Sequence, residues 1–137
     1  MNRKIKFRGK TKVDFGNGDN EILIPKGTWI YGGIVFDDSE RIWIDMKYYG
    51  QILVDENTVG QYTGLHDKNG KEIYERDIVK YRDSRGEHIE NVIFDKGCFY
   101  AGMHWGSSTR VAPKLINPRI TEVIGNEFDN PELLGGE

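Results

Sequence analysis

Polar and apolar residues alternate cleanly at the start of the chain. Ile5, Phe7, Gly9, Thr11 and Val13 share one parity, and Lys4, Lys6, Arg8, Lys10 and Lys12 share the other. Period-two alternation predicts a strand with its cations on one face and its apolar residues toward a core. Short β-prone runs follow at Ile22–Ile24, Trp29–Phe36, Arg41–Met46 and Gln51–Val54. Asp37-Asp38-Ser39 reads as a hairpin connection between the second and third of these runs. Further strands are expected over Asp77–Tyr81, Glu87–Phe94, Cys98–Met103 and Arg119–Phe128, with a tight hairpin at Asp95-Lys96-Gly97. The segment 14–20 reads as a polar, glycine-rich loop, and Gly106–Thr109 as another.

Asp67-Lys68-Asn69-Gly70 is the strongest turn signal in the chain. A two-residue Asn69-Gly70 turn would set Lys68 opposite Lys71, a like-charge pair that costs stability. A type I turn opening at Asp67, with Gly70 left-handed, avoids that pairing and suits both residues. One helical start is expected, late in the chain. Asn130 suits an N-cap, Pro131 the first helical position and Glu132 the positive end of the helix dipole, so a single turn carrying Leu133 and Leu134 is predicted.

Strands this short, at this spacing, predict a mainly β protein built as a meandering sheet or small barrel. Residues 59–128 read as the more regular unit, within a second region of 59–137 that ends in a tail, and residues 1–58 as a β-rich region packed on it. At 137 residues the chain fits one domain, or two very small ones sharing a core.

Charge changes this picture in one respect. The net charge is −3, yet residues 1–12 hold six basic side chains and no acid, leaving 13 basic against 22 acidic residues in the remainder. A basic arm on an acidic body is the main electrostatic feature. No apolar run approaches the roughly 18 residues of a membrane span, and the basic N-terminus lacks the apolar stretch of a signal peptide. Cys98 stands alone, which points to a reducing compartment, the cytosol.

Three segments carry a family resemblance: GQYTGLHDKNGKEIYERDIVKY within Val59–Tyr81, EVIGNEFDNPELL at Glu122–Leu134, and IKFRGK at Ile5–Lys10. Together they resemble the YopX family of phage and prophage proteins, whose order they follow. The resemblance implies a β-rich N-terminal region followed by a small SH3-like β-barrel, encoded by a phage or prophage and working in the cytoplasm of a bacterial host. It implies no activity. The resemblance implies that Gly is common where this chain has Arg76; if that Gly is left-handed, Arg76 either bears a strain of about 1–2 kcal/mol or reshapes the turn.

Candidate chemistry is sparse. The loops at Asp14–Glu21 and Asp67–Gly70 lack the Gly and Glu that an EF-hand places at its sixth and twelfth positions, and Lys68 and Lys71 would repel a cation. His66, His88, His104 and Cys98 show no metal-ligand spacing, and Cys98, within Cys-Phe-Tyr, reads as a small buried hydrophobe. Gly106–Arg110 lacks the ending and the flanking context of a P-loop. No catalytic residue, cofactor or metal is expected.

The functional candidates are therefore the cations Lys4, Lys6, Arg8, Lys10 and Lys12 with the aromatics Trp29, Tyr31 and Tyr62. Tyr48 and Tyr49 are further aromatic surface candidates. Cations every ~6.8 Å along a strand can track an anionic partner, whereas a plain edge strand carries lysines to deter sheet-to-sheet pairing. The leading expectation is a non-catalytic module binding a phage or host protein through a barrel surface or open strand edge. The alternative is nucleic-acid binding through the basic strand, with bases stacking on the aromatics. Exposed edges can also pair in a symmetric dimer.

Overall fold

A computed structural model describes residues 4–16, 18, 20–102 and 114–135. The chain is mainly β and separates into two compact units, Met1–Tyr62 and Thr63–Glu137. The division falls inside a strand, a few residues beyond the boundary expected between 58 and 59.

In the first unit, β1 (Phe7–Lys10), β4 (Trp29–Phe36), β5 (Ile42–Met46) and β6 (Gly50–Leu53) lie in the order β6-β5-β4-β1. The start of β7 (Gly60–His66) lies on the other side of β1. The short strands β2 (Phe15–Gly16) and β3 (Ile22–Ile24) pair separately. β1 is antiparallel to β4, with Gly9 opposite Ile30, and antiparallel to β7, with Arg8 opposite Gly60. The expected edge strand is therefore an interior one, because both of its hydrogen-bonding sides are taken. It is also shorter than the alternation predicted: Ile5 and Val13 lie outside it and are exposed.

Ile24, Ile30, Ile44, Ile52 and Val54 form the core of this unit, each side chain contributing about 1.5–3 kcal/mol of burial. Gly9 faces this core because a Cβ there would press against Val54 at 3.1 Å. The end of β6 bends back to β1: Thr11 bridges to Val54, and Asp55 N–H donates to the Lys10 carbonyl at 2.8 Å.

The second unit contains the rest of β7, β8 (Glu72–Tyr74), and an open five-stranded sheet ordered β12-β11-β10-β9-β13. Its members are β9 (Asp77–Asp83), β10 (Gly86–Asp95), β11 (Cys98–Ala101), β12 (Lys114–Leu115) and β13 (Glu122–Asn126). Ile73, Val79, Tyr81, Val92, Ala101, Ile116 and Val123 make one core, with Leu65 and Phe99 packed against it. Thr63 Oγ1 donates to the Ile73 carbonyl at 2.7 Å, fastening β7 to β8 within this unit.

The expected strand over Arg119–Phe128 is trimmed at both ends by asparagine side chains. Asn117 accepts from Arg119 N–H at 3.1 Å, turning the chain before β13. Asn126 accepts from the N–H groups of Phe128 and Asp129, turning it again afterwards. Pro131–Leu134 is a 3-10 turn packed against β10. Asn130 does not cap it with its side chain; its Oδ1 instead accepts from Asn126 N–H at 3.3 Å. Cys98 is exposed rather than buried, since it closes the turn through Lys96 and Gly97, both at positive φ. The expected loop at Gly106–Thr109, with the Gly106–Arg110 segment and His104, lies outside the described residues.

Candidate partner-binding face

Because β1 is central, its alternate residues project onto one face of a three-strand surface in the first unit. Register sets Lys10 opposite Trp29 and Arg8 opposite Tyr31, on the face away from Gly9 and Ile30. The Arg8 guanidinium lies over the Trp29 ring at 4.7 Å, and Lys10 Nζ approaches the same ring at 5.4 Å. Lys6 Nζ lies 5.2 Å from the Tyr62 ring, while Tyr62 N–H donates to the Lys6 carbonyl at 2.9 Å. Lysine and arginine are thus laid across aromatic faces, an arrangement that attracts through the ring quadrupole.

Exposure divides these residues. Arg8 and Tyr62 are buried, Lys6, Lys10 and Trp29 half-buried, and Lys4, Lys12 and Tyr31 exposed. The expectation that Arg8 projects to solvent with the lysines is corrected: it lies under its neighbours, against Trp29. Lys12 pairs with Glu56 at 3.3 Å at the end of the row. Tyr48 and Tyr49 are placed elsewhere, on the turn between β5 and β6, where Tyr49 meets Phe15 edge-on at 6.1 Å.

The residues of the Asp67 turn have a structural setting. Gly70 has φ +86°, and its N–H donates to the Asp67 carbonyl at 3.0 Å. Asp67 Oδ1 accepts from the N–H groups of Asn69 and Lys71, each at 2.9 Å, and Oδ2 from Val123 N–H at 2.9 Å. Lys68 N–H donates to the Thr121 carbonyl at 2.9 Å. The turn thereby occupies the outer edge of β13. Burial works against ionisation of Asp67, but the N–H groups of Val123, Lys71 and Asn69, with the Lys71 charge, hold its carboxyl below the ordinary range.

Sequence reasoning missed two further constellations. Asp37 accepts from the Trp43 indole at 2.9 Å, from Arg41 Nε at 2.7 Å, and from the N–H groups of Ser39 and Arg41. The indole bond is the leading reason its carboxyl falls to about 2. An Asp followed four and six residues later by Arg and Trp was the available signal. In the second unit, His88 Nε2 lies 2.8 Å from Asp83 Oδ1, and its ring stacks on Tyr81 at 4.9 Å. The strand register, with His88 opposite Tyr81, makes that group, and alternation alone could not reveal it.

Among the described residues, no three His, Cys, Asp or Glu side chains converge to hold a metal ion. None of the helical segments among them is long and apolar enough to cross a membrane. The β1 face sets its cations against aromatic rings.

No curated protein matches the chain. The crystal structure of protein EF1440 from Enterococcus faecalis is similar at 22% identity, covering 96% of this chain and 98% of that one, with a TM-score of 0.46. The model of the YopX protein family matches residues 27–135, a span that includes the Asp67 turn and β13 but begins after β1. With most of its length matched, the chain belongs to the YopX family.

Proposed function

We propose that the protein is a non-catalytic interaction module, and that the β1 face of its first unit binds a partner protein through an acidic surface. One observation carries this reading: the register that gathers Lys6, Arg8 and Lys10 with Trp29, Tyr31 and Tyr62 on one face. Of these, Trp29 is half-buried and Tyr31 exposed, backed by the buried Arg8 and Tyr62, and Trp and Tyr are among the residue types that dominate binding energy at protein interfaces. Lysines around such a cluster favour a partner of opposite charge and speed encounter. The partner is a phage or host protein, met in the cytoplasm of a bacterial host. The family resemblance and the single cysteine support that setting.

The second unit serves as an SH3-type barrel scaffold in this reading. The ties from the Asp67 turn to β13 support it, since they wrap β7 and β8 around the core shared with the five-stranded sheet. Nucleic-acid stacking is the weaker use of the β1 face, because Tyr62 is buried and Trp29 is already covered by Arg8 and Lys10.

The test compares wild-type protein with a Lys6→Glu/Lys10→Glu/Tyr31→Ala variant of unchanged melting temperature in pull-downs from the producing bacterium. A stoichiometric protein retained by the wild type and lost by the variant is expected. A partner that both proteins retain equally, or none at all, would overturn the reading. Binding of a single-stranded oligonucleotide that falls steeply with salt and weakens in a Lys4→Ala/Lys6→Ala/Arg8→Ala variant would favour nucleic acid instead.

A further inference from the structure

The second unit contains a cleft of about 190 Å³ that the β1 face does not involve. Cavities of about 150 Å³ accept a molecule the size of benzene, so this one admits a four-carbon chain with a head group. Leu115, Ile116, Ile120 and Ala101 supply apolar walls, while Asp83 and Tyr81 contribute polar groups. Leu115 and Ile120 are exposed, which places apolar surface within reach of an incoming chain.

Charge decides what the cleft suits. Its described lining contains one carboxylate, Asp83, and no lysine or arginine. That carboxylate is held in place, its Oδ1 accepting from Arg85 N–H at 2.8 Å and lying 2.8 Å from His88 Nε2. Burial first, then the charges of Glu90 and Asp83, push the Tyr81 phenol upward. One wall is also built firmly. Thr121 Oγ1 donates to the Asn117 carbonyl at 2.7 Å, and Ile120 N–H donates to the same carbonyl at 3.2 Å.

We propose that this cleft takes the side chain of a lysine from a partner polypeptide, its methylenes between Leu115 and Ile120 and its ammonium toward Asp83. Apolar walls leading to a fixed carboxylate match the two ends of that side chain, whose stem packs on apolar surface while its head stays charged. This site is independent of the β1 face and of opposite polarity.

The test is a titration of the full-length protein with n-butylammonium chloride, and separately with 1-butanol, followed by backbone amide NMR at moderate salt. Saturable shifts confined to Tyr81, Asp83, Ala101 and residues 115–121 are expected for the ammonium, with butanol about fivefold weaker, the scale of an exposed ion pair. Asp83→Asn should erase that preference. Because Asp83 also accepts within its hairpin, Leu115→Lys provides a second variant that leaves those bonds intact and should weaken the ammonium by a similar factor. Equal binding of the two probes would overturn the proposal. So would ammonium shifts that neither variant changes, or shifts that spread over the acidic surface without saturating.

Discussion

Two hairpin turns of this protein have the same backbone and different purposes. At Asp37 and at Asp67 the turn opens with an aspartate whose N–H donates to the carbonyl four residues on, at 3.1 and 2.7 Å respectively. In each, the fourth residue is left-handed, Glu40 at φ +62° and Gly70 at +86°, and donates back to the aspartate carbonyl. In each, Oδ1 accepts from the backbone N–H groups two and four residues later. They differ in Oδ2. Asp37 gives it to the side chains of Arg41 and Trp43, close in sequence, whereas Asp67 gives it to Val123 N–H, 56 residues away. One aspartate finishes a local turn, and the other uses the same turn to tie a hairpin to the edge of a sheet.

The largest expected effect follows from that difference. Asp67→Ala leaves the buried Val123 N–H without its acceptor and removes two turn bonds, a loss of about 3 kcal/mol. Asp37→Ala removes three bonds to exposed groups and one to the half-buried Trp43 indole, and strands no fully buried donor, so its loss is the smaller of the two. Urea unfolding of both variants, compared by midpoint at constant slope, measures the contrast. Equal losses would mean that the tie to β13 adds nothing to the turn itself.

The two turns differ also in their left-handed residue, Glu40 in one and Gly70 in the other. A non-glycine side chain there costs about 1–2 kcal/mol, so Gly70→Ala should destabilise by that amount. Glu40→Gly should stabilise by somewhat less, since glycine also loosens the unfolded chain. Arg76, at φ +72°, provides a third position of the same kind. Its guanidinium lies 5.5 Å from the Phe128 ring, so Arg76→Gly should gain least, the relief being offset by about 0.5 kcal/mol of lost cation–π contact. Thermal melts of the three variants rank them. Destabilisation by Glu40→Gly would show that something other than backbone strain governs that turn.

These turns also show how far the sequence could be read. Asp-Lys-Asn-Gly specifies a local geometry, because Asp suits the opening position and Gly the left-handed one. The Asp37 turn was visible as a hairpin but not in detail, since Glu40 gives no sign of its positive φ. Nothing in the sequence marks Val123 as a partner of Asp67, because local turn chemistry carries no information about residues so distant. The β1 strand repeats the point. Its alternation separated Gly9 from Arg8 by face, but periodicity names faces and not neighbours. That Arg8 would sit over Trp29, in the middle of a sheet, depended on pairings with β4 and with Gly60. Composition and turn signals made the mainly β architecture legible; the candidate face was legible in its members and not in their burial.

The smallest effect separates the two aspartates by their donors. Both carboxyls are lowered, so each contributes stability above its unfolded value near 3.8 that is lost as pH falls through its folded value. For Asp37 that window runs from near 3.8 down to about 2. The Trp43 indole is the leading cause, burial opposes it, and the N–H groups of Arg41 and Ser39 with the Arg41 side chain add to the lowering. Trp43→Phe removes the indole donor while keeping a ring of similar shape. It should therefore move Asp37 back toward 3.8 and leave Asp67, which depends on backbone donors, where it is. Carboxyl-carbon NMR through acid titration follows both groups in one sample. If Asp37 still titrates near 2 in that variant, the N–H groups of Ser39 and Arg41 with the Arg41 side chain govern it, and the indole does not separate the two aspartates.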